Sequence, residues 1–410
     1  MLSPARNLES LKKLNRLNVL NIVREQSPIS RQELCGVTRL TPAAMTGIVR
    51  ELTDQGYLEE MGLGESNGGR RPVKLRFRPD AGYVVGVEIA RQKTVIGLTD
   101  LQSRPVLTRE LPLDMSDPLT GWAELMPAMR RIVTETGIRE EKVLGAGFVF
   151  PGLIDKHTKV LKRAPNLGGA WRDLPVNEWL ERDVHVPVFI ENNSNAAALA
   201  EYVLGQGKET KDLAYINLGE GLGSGIILGG RLVLGSSGYA GEFGHLVLIE
   251  DGPLCNCGNK GCLESMYAVP ALVRKVNNEL PLCQDDDPLK KLFLAQGEVG
   301  ITDVLSTARR GGPYSRQVIE QAGRYIGLGV ANLINFYNPA LVSLGGILSE
   351  AGDLLLEPLI EAVGHHAFPE MVRSTKIQIS GLGKEAGFYG ACVGAIEQLF
   401  DPEKGGILLV

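Results

Sequence analysis

Apolar residues recur at helical spacing through the start of the chain and gather into strand-like runs further on. The change falls near residue 82. Leu11, Leu14, Leu17, Leu20 and Val23 share one face of a helix that Pro28 ends. Ser30-Arg31-Gln32-Glu33 has the form of a capping box, in which the Ser30 hydroxyl accepts from the Glu33 amide and Glu33 reaches back. It opens a short helix through Leu34 and Val37. Thr41-Pro42 opens the next helix, with Thr41 as N-cap and Pro42 at the first helical position, where a missing N–H is no loss. Ile48, Val49 and Leu52 supply its apolar face, and Gly56 ends it. Tyr57-Leu58-Glu59-Glu60 and Arg70 to Phe77 then read as two short strands around a Gly-rich tip (Gly62, Gly64, Gly68, Gly69).

A short helix, a tight turn, a capped helix and a basic hairpin describe a winged helix-turn-helix over residues 1–82. The second helix of the pair would present Thr41, Pro42, Ala43, Ala44, Thr46 and Arg50 to double-stranded DNA. Small residues allow deep seating in the major groove, Ala and Thr methyls meet thymine methyls, and Arg50 meets a phosphate or guanine. Arg31 joins this set, and Arg70 and Arg71 on the wing would reach the minor groove or phosphates. The plainer reading is a helical hairpin used for dimerisation or protein contact. Charge supports the first: residues 1–82 hold 13 Lys and Arg against 9 Asp and Glu, whereas the rest holds 30 against 39. A basic head on an acidic body suits a nucleic-acid module joined to a domain with another task.

From residue 83 the expected strands are Tyr83–Ile89, Thr94–Leu98, Val106–Leu111 and Val143–Val149, with a helix over Leu119–Val133. A similar order returns at Leu213–Leu218, Gly225–Leu228, Arg231–Leu234 and, after helices, Leu341–Leu344. This predicts a duplicated α/β unit with a cleft between its halves. The first lobe would span 83–200, joined by the C-terminal helix in 386–410, and the second 201–385. The junction at Pro79-Asp80-Ala81-Gly82 is short, so motion in the body can reach the head. The helical stretches Ser315–Asn338 and Ala386–Phe400 read as dimer elements or as lobe core.

Composition excludes several classes. Of 410 residues, 44% are hydrophobic and 22% charged, enough for real cores and unlike a disordered or fibrous chain. No run of 18 apolar residues exists and the N-terminus lacks a secretory pattern, so no membrane insertion and a cytoplasmic location are expected. Six cysteines are too few for a disulfide scaffold. Three of them crowd together instead: His245 is followed by Cys255, Cys257 and Cys262, a Cys3His set suited to one structural tetrahedral zinc. Glu242 and Glu264 flank these ligands, and with one ring nitrogen of His245 on the metal the other can donate a fixed hydrogen bond. Two carboxylates and an imidazole N–H suit a polyhydroxylated ligand; the plainer reading is supporting or surface carboxylates. His365-His366 and Cys35, Cys283 and Cys392 carry no such company, and Asp285-Asp286-Asp287 reads as a solvated loop or helix start.

The runs Gly241-Glu242-Phe243-Gly244-His245, Cys255 to Glu264, Pro151 to Asp155 and Glu191 to Glu201 resemble the ROK family of repressors, open reading frames and kinases over essentially the whole chain. With its head, the chain resembles the transcriptional-regulator branch that includes glucose-, N-acetylglucosamine- and xylose-responsive repressors. The resemblance implies an actin-like, sugar-kinase-like (ribonuclease H-like) body with sugar in the interlobe cleft. It implies sugar contacts at Asn192, Asn193, Glu242, His245 and Glu264, with Asn166 and the backbone at Gly152 beside them, and zinc on His245, Cys255, Cys257 and Cys262. Three departures point away from kinase chemistry. Asn193 stands where family kinases carry an Asp base, and an amide cannot take up the proton. Glu88-Ile89-Ala90-Arg91-Gln92 replaces a glycine-containing phosphate loop. Glu220 stands where kinases usually carry Thr, and repels a γ-phosphate.

The expected function is therefore a DNA-binding repressor of sugar-uptake or catabolic genes with no catalytic residues. Its partners are operator DNA and a sugar or sugar-phosphate effector, and it acts as a homodimer or dimer of dimers. A repressor controlled by a protein such as a sugar-transporter subunit, and an active ATP-dependent sugar kinase with a DNA head, are the alternatives.

Overall fold

Two helices begin in the same way, on a hydroxyl cap, and the N-terminal head forms around them. The computed structural model describes residues 8–63, 73–284 and 286–402. Helix α1 (Leu8–Gln26) leads through β1 (Ile29–Ser30) into α2 (Arg31–Thr38), and α3 (Pro42–Asp54) follows a turn with Arg39 at φ +58°. Ser30 Oγ accepts from Glu33 N at 3.3 Å while Glu33 Oε2 accepts from Ser30 N at 2.6 Å. Thr41 Oγ1 accepts from Ala44 N at 3.3 Å, with Pro42 in the first turn. Met45, Val49 and Leu52 are buried in one cluster with Leu17, Leu20, Val23 and Leu34. Strands β2 (Leu58–Leu63) and β3 (Val73–Phe77) pair antiparallel, and β1 adds to β3. The expected Gly64, Gly68, Gly69, Arg70 and Arg71 lie outside the described residues.

Lys74 and Ser30 hold the Glu33 carboxyl at about 2, below its ordinary 4.5. A carboxylate with a depressed folded pKa stabilises fully above the unfolded value, and that contribution fades as pH falls through the folded one. Thermal melts between pH 4.5 and 2 are expected to fall less steeply for Glu33→Gln than for the wild-type chain. Equal slopes would remove Glu33 from the account. The effect is small, because the pair is solvent-exposed.

The body holds the same sheet twice. The first is built from β4 (Tyr83–Ile89), β5 (Thr94–Asp100), β6 (Pro105–Leu111), β7 (Val143–Phe150) and β11 (Val188–Asn192), in the order β11-β7-β4-β5-β6. The second uses β12 (Leu213–Leu218), β13 (Leu222–Leu228), β14 (Arg231–Leu232), β15 (Leu341–Gly345) and β16 (Lys376–Ile379), in the order β16-β15-β12-β13-β14. In each, the first three strands run parallel and the last two fold back antiparallel. Between them β8 (Leu153–Ile154), β9 (Leu161–Arg163) and β10 (Arg172–Leu174) form a small antiparallel sheet. Helix α4 (Pro118–Glu135) covers the first sheet, and α5 (Val176–Asp183) packs beside it through Trp179 on Trp122.

The second lobe takes its helices between β14 and β15: α7 (Leu263–Tyr267), α8 (Val269–Glu279), α9 (Pro288–Gln296), α10 (Ile301–Arg309) and α11 (Pro313–Tyr337). After β15 come α12 (Asp353–His366) and α13 (Pro369–Ser374). Asp287 caps α9 by accepting from Leu289 N at 2.8 Å. Each sheet's last parallel strand ends in a helix, α6 (Asn193–Val203) after β11 and α14 (Ala386–Phe400) after β16. These two counterparts pack on each other so closely that a Cβ at Gly390 would overlap the Ala196 backbone. Helix α14 is thus buried core: every residue of 386–400 except Tyr389, Glu397 and Gln398 is buried, so it is no dimer face. Helix α14 also carries the head, since Phe388, Cys392, Ile396, Leu399 and Phe400 share one cluster with Leu17, Leu20 and Phe77. Among the described residues no helix is long and apolar enough to cross a membrane.

Candidate functional site

The loop between β14 and α7 brings four separated ligands together. His245, Cys255, Cys257 and Cys262 place one ligand atom each within 4.8 Å of one another. His245 Nδ1 lies 3.7 Å from Cys255 Sγ, and Cys257 Sγ lies 3.7 Å from Cys262 Sγ. A tetrahedron with Zn–S of about 2.3 Å has edges near 3.8 Å, which these two 3.7 Å separations match. Gly258 (φ +102°) and Gly261 (φ +68°) turn the loop back through conformations that residues with a Cβ rarely adopt. Burial and the neighbouring Cys257 thiol push Cys262 up to about 12, and Cys255 is raised as well. A bound cation reverses that preference by stabilising thiolates.

His245 joins this cluster to two carboxylates, Glu242 and Glu264. Its Nε2, on the side away from Cys255, lies 3.6 Å from Glu242 Oε2. Desolvation raises the Glu242 carboxyl, Glu264 raises it further, and His245 pulls against both. Glu264 Oε2 accepts from Leu222 N at 2.9 Å. Gly221 lies between Asn166 and Glu264: a Cβ there would sit 2.5 Å from Asn166 Nδ2 and 2.7 Å from Glu264 Oε2. Glu242, His245, Glu264 and Asn166 are therefore gathered at one place. Asn192 is more committed than its sequence position suggests. Its Oδ1 accepts from Ser194 N and Asn195 N at the start of α6, and its Nδ2 donates to Gly152 O at 2.8 Å. Asn192 thus ties the Gly152 turn to α6, and Asn193 is the first residue of that helix.

The positions that depart from kinase patterns have other occupations. The Glu88 carboxyl accepts from the Phe388 amide at the start of α14, and burial pushes it up to about 7. Gly387 leaves it the necessary space. Burial raises Glu220, while Arg91 and Lys93 from the opposite hairpin lower it.

On the head, Thr41, Pro42, Ala43, Ala44, Thr46 and Arg50 are all exposed, and their neighbours Met45 and Val49 face inward. Thr46 Oγ1 donates to Pro42 O at 2.8 Å. Arg50 is 83% exposed, with Asp54 as a loose partner at 3.8 Å. Arg31 is different: it donates to Glu60 of β2 at 2.6 Å, tying α2 to the hairpin.

Sequence reasoning missed the contacts between elements. Lys156 Nζ donates to Gly235 O at 2.6 Å, and Arg163 reaches the carbonyls of Asn256 and Cys257. Asn21 Nδ2 donates to Phe400 O at 3.0 Å, and Arg24 pairs with Glu397 at 3.0 Å. None of these side chains belongs to a periodic pattern or a motif. Only their partners, far away in sequence, give them meaning.

Comparison with known proteins matches residues 84–398 to the ROK family model. The xylose repressor of Bacillus spizizenii is 31% identical over 95% of this chain and 97% of its own length. The DNA-binding transcriptional dual regulator NagC of Escherichia coli is 29% identical over 87% of this chain and 86% of its own. Among solved structures, a ROK family transcriptional regulator, a homologue of the Escherichia coli MLC protein, superposes with a TM-score of 0.82 at 26% identity. It covers 97% of this chain and 98% of its own. A ROK family glucokinase from Streptomyces griseus, solved with glucose and AMPPNP, gives 0.68 at 29% identity, covering 77% of this chain and 99% of its own.

Proposed function

The chain belongs to the ROK family, and on that premise we propose how it works as a sugar-responsive transcriptional repressor rather than a kinase. The observation that carries the reading is the joint presence of two sites in one chain, whose head packs on the body through α14. One is an exposed row of small residues on α3, and the other is a cluster of sugar-type donors and acceptors around His245. The head is a winged helix-turn-helix whose α3 enters the major groove of operator DNA through Thr41, Pro42, Ala43, Ala44, Thr46 and Arg50. The family model spans residues 84–398 and leaves out the head, and the glucokinase covers 77% of this chain, which supports reading the head as the regulatory addition.

His245, Cys255, Cys257 and Cys262 hold one structural zinc. Four protein ligands leave no open position for a reacting group, so its task is to fix the loop and the His245 ring. Glu242, Glu264, Asn166, Asn193 and the His245 Nε2 edge then receive the hydroxyls of a sugar between the lobes. D-Xylose and N-acetyl-D-glucosamine are the first candidates, given the relatives' names. Asn192 and Gly152 take part through the bond that joins them. The protein acts in the cytoplasm as a homodimer or dimer of dimers. Two heads then meet half-sites about 34–36 Å or multiples apart, and a sugar that shifts the heads releases the operator.

The test is a thermal shift of the zinc-loaded protein with these two sugars. A ligand at about 100 times its dissociation constant adds roughly 2.7 kcal/mol. Glu242→Ala is expected to cut the shift to half or less with zinc content unchanged, because a hydrogen bond to a carboxylate is worth about 1.5–3 kcal/mol. An undiminished shift in that variant would remove Glu242 from the site.

A further inference from the structure

We propose that Arg163 is a positioning residue that clamps the metal loop of the second lobe to the sugar-facing hairpin of the first, so that metal occupancy reaches the first lobe's side of the sugar site through this side chain, in addition to its effect on His245. The inference rests on the sugar-binding reading above and extends it to the interface between the lobes. Arg163 Nη1 donates to Cys257 O at 3.0 Å and Nη2 to Asn256 O at 2.9 Å. Two guanidinium N–H groups thus hold two successive carbonyls, one of them belonging to a metal ligand. A planar fork is suited to this, and a single ammonium is not.

On its own side, Arg163 is the last residue of β9 and pairs with Leu153 and Arg172 in the small sheet. Its backbone carbonyl presses on Gly152, where a Cβ would overlap it. The next residue, Ala164, donates to Trp171 O at 3.0 Å and accepts from Leu167 N at 3.0 Å, which closes the turn that carries Asn166. Trp171 is anchored in turn by donating to Met115 O at 2.6 Å. Moving Arg163 therefore moves Gly152 on one side and Asn166 on the other. The directions of the Asn256 and Cys257 carbonyls depend on where the sulfurs of the loop are held. A Cys3His zinc centre also carries a net charge of about −1, which a guanidinium on the adjacent carbonyls offsets.

The test is a two-by-two comparison of wild-type and Arg163→Gln protein, each zinc-loaded and chelator-stripped. Amide hydrogen exchange over residues 152–168 is read with zinc alone, and affinity for D-xylose and N-acetyl-D-glucosamine is read by calorimetry. Zinc-loaded Arg163→Gln is expected to keep its zinc, to exchange faster over 152–168, and to lose about tenfold in sugar affinity. Stripping zinc should speed exchange there in the wild type and add little in the variant. Arg163→Lys, which retains the charge but not the fork, should fall between. Full additivity of the two perturbations in exchange over 152–168, or wild-type exchange there in Arg163→Gln, would overturn the clamp. Failure of zinc-loaded wild type to bind either sugar would count against those effectors instead, and the exchange comparison would still decide the role of Arg163.

Discussion

Cys262→Ser is expected to empty the four-ligand cluster and abolish the sugar response, while the head stays folded. Cys262 is fully buried, its backbone bridges to Val247 two residues beyond His245, and it caps α7, whose first turn carries Glu264. A hydroxyl in place of the thiolate removes one of four ligands from a site with no spare. Apparent zinc affinities in small metal-folded peptides are roughly 10–16 kcal/mol. Here only the loop depends on the ion, so a fraction of that releases it. His245 then loses what turns its ring towards Glu242, and Glu264 loses the fixed start of its helix. Emission spectroscopy should find almost no zinc, and the sugar-dependent thermal shift should vanish with far-ultraviolet circular dichroism unchanged. A variant that loses zinc yet answers sugar in full would refute a structural role for the metal at this site.

Phe400→Ala is expected to part the head from the body. The ring is 2% exposed, meets Phe77 edge-on at 6.0 Å, and lies 4.3 Å beneath the Arg24 guanidinium. Truncating a buried Phe costs about 3–5 kcal/mol, a large share of a domain stability of about 5–15 kcal/mol. The cavity opens where α14 and the head share one core, because Leu17, Leu20, Phe77 and Leu399 belong to the same cluster. Calorimetry should resolve a separate, earlier transition for the head. Sugar affinity should not change, since Phe400 lies outside the cleft, but the ratio of operator affinities without and with sugar should fall towards one. A single transition with an intact ratio would mean that the head takes its position from other contacts.

Much of this architecture is legible in the chain because it is encoded locally. The Ser30 box, the Thr41 cap and the strands Tyr83–Ile89 and Leu213–Leu218 follow from neighbours within a few residues. The His245, Cys255, Cys257 and Cys262 cluster is legible for another reason, since three thiols in one short polar loop have few uses other than holding a metal. What stayed hidden are contacts whose two halves lie far apart. Arg163 is an ordinary strand residue until Asn256 and Cys257 arrive from the other lobe. Arg31 resembles its basic neighbours until Glu60 takes it. The Asn192 amide is a fair sugar ligand by motif, yet both its ends are used to join Gly152 to α6. The pairing of α6 with α14 follows from the duplication, but only the close approach at Gly390 makes it visible.

That pairing gives the account its physical route. The cleft side holds the Gly152–Asn192 bond, Asn192 caps α6, α6 lies on α14, and α14 carries the head through Asn21, Arg24 and Phe400. A ligand can shift an equilibrium only by its differential affinity for two states, so sugar and operator communicate through a coupling energy between two sites. Such couplings are typically about 1–3 kcal/mol, or roughly 5–150-fold in affinity.

The most direct test enriches duplexes from a random library on the zinc-loaded protein, then measures affinity for the enriched duplex by fluorescence anisotropy across a panel of free and phosphorylated sugars. One sugar is expected to weaken operator binding about tenfold or more, and Glu242→Ala to remove this effect without altering sugar-free DNA affinity. Operator affinity that no sugar in the panel changes, together with ATP-dependent phosphorylation of one of them, would contradict this expectation.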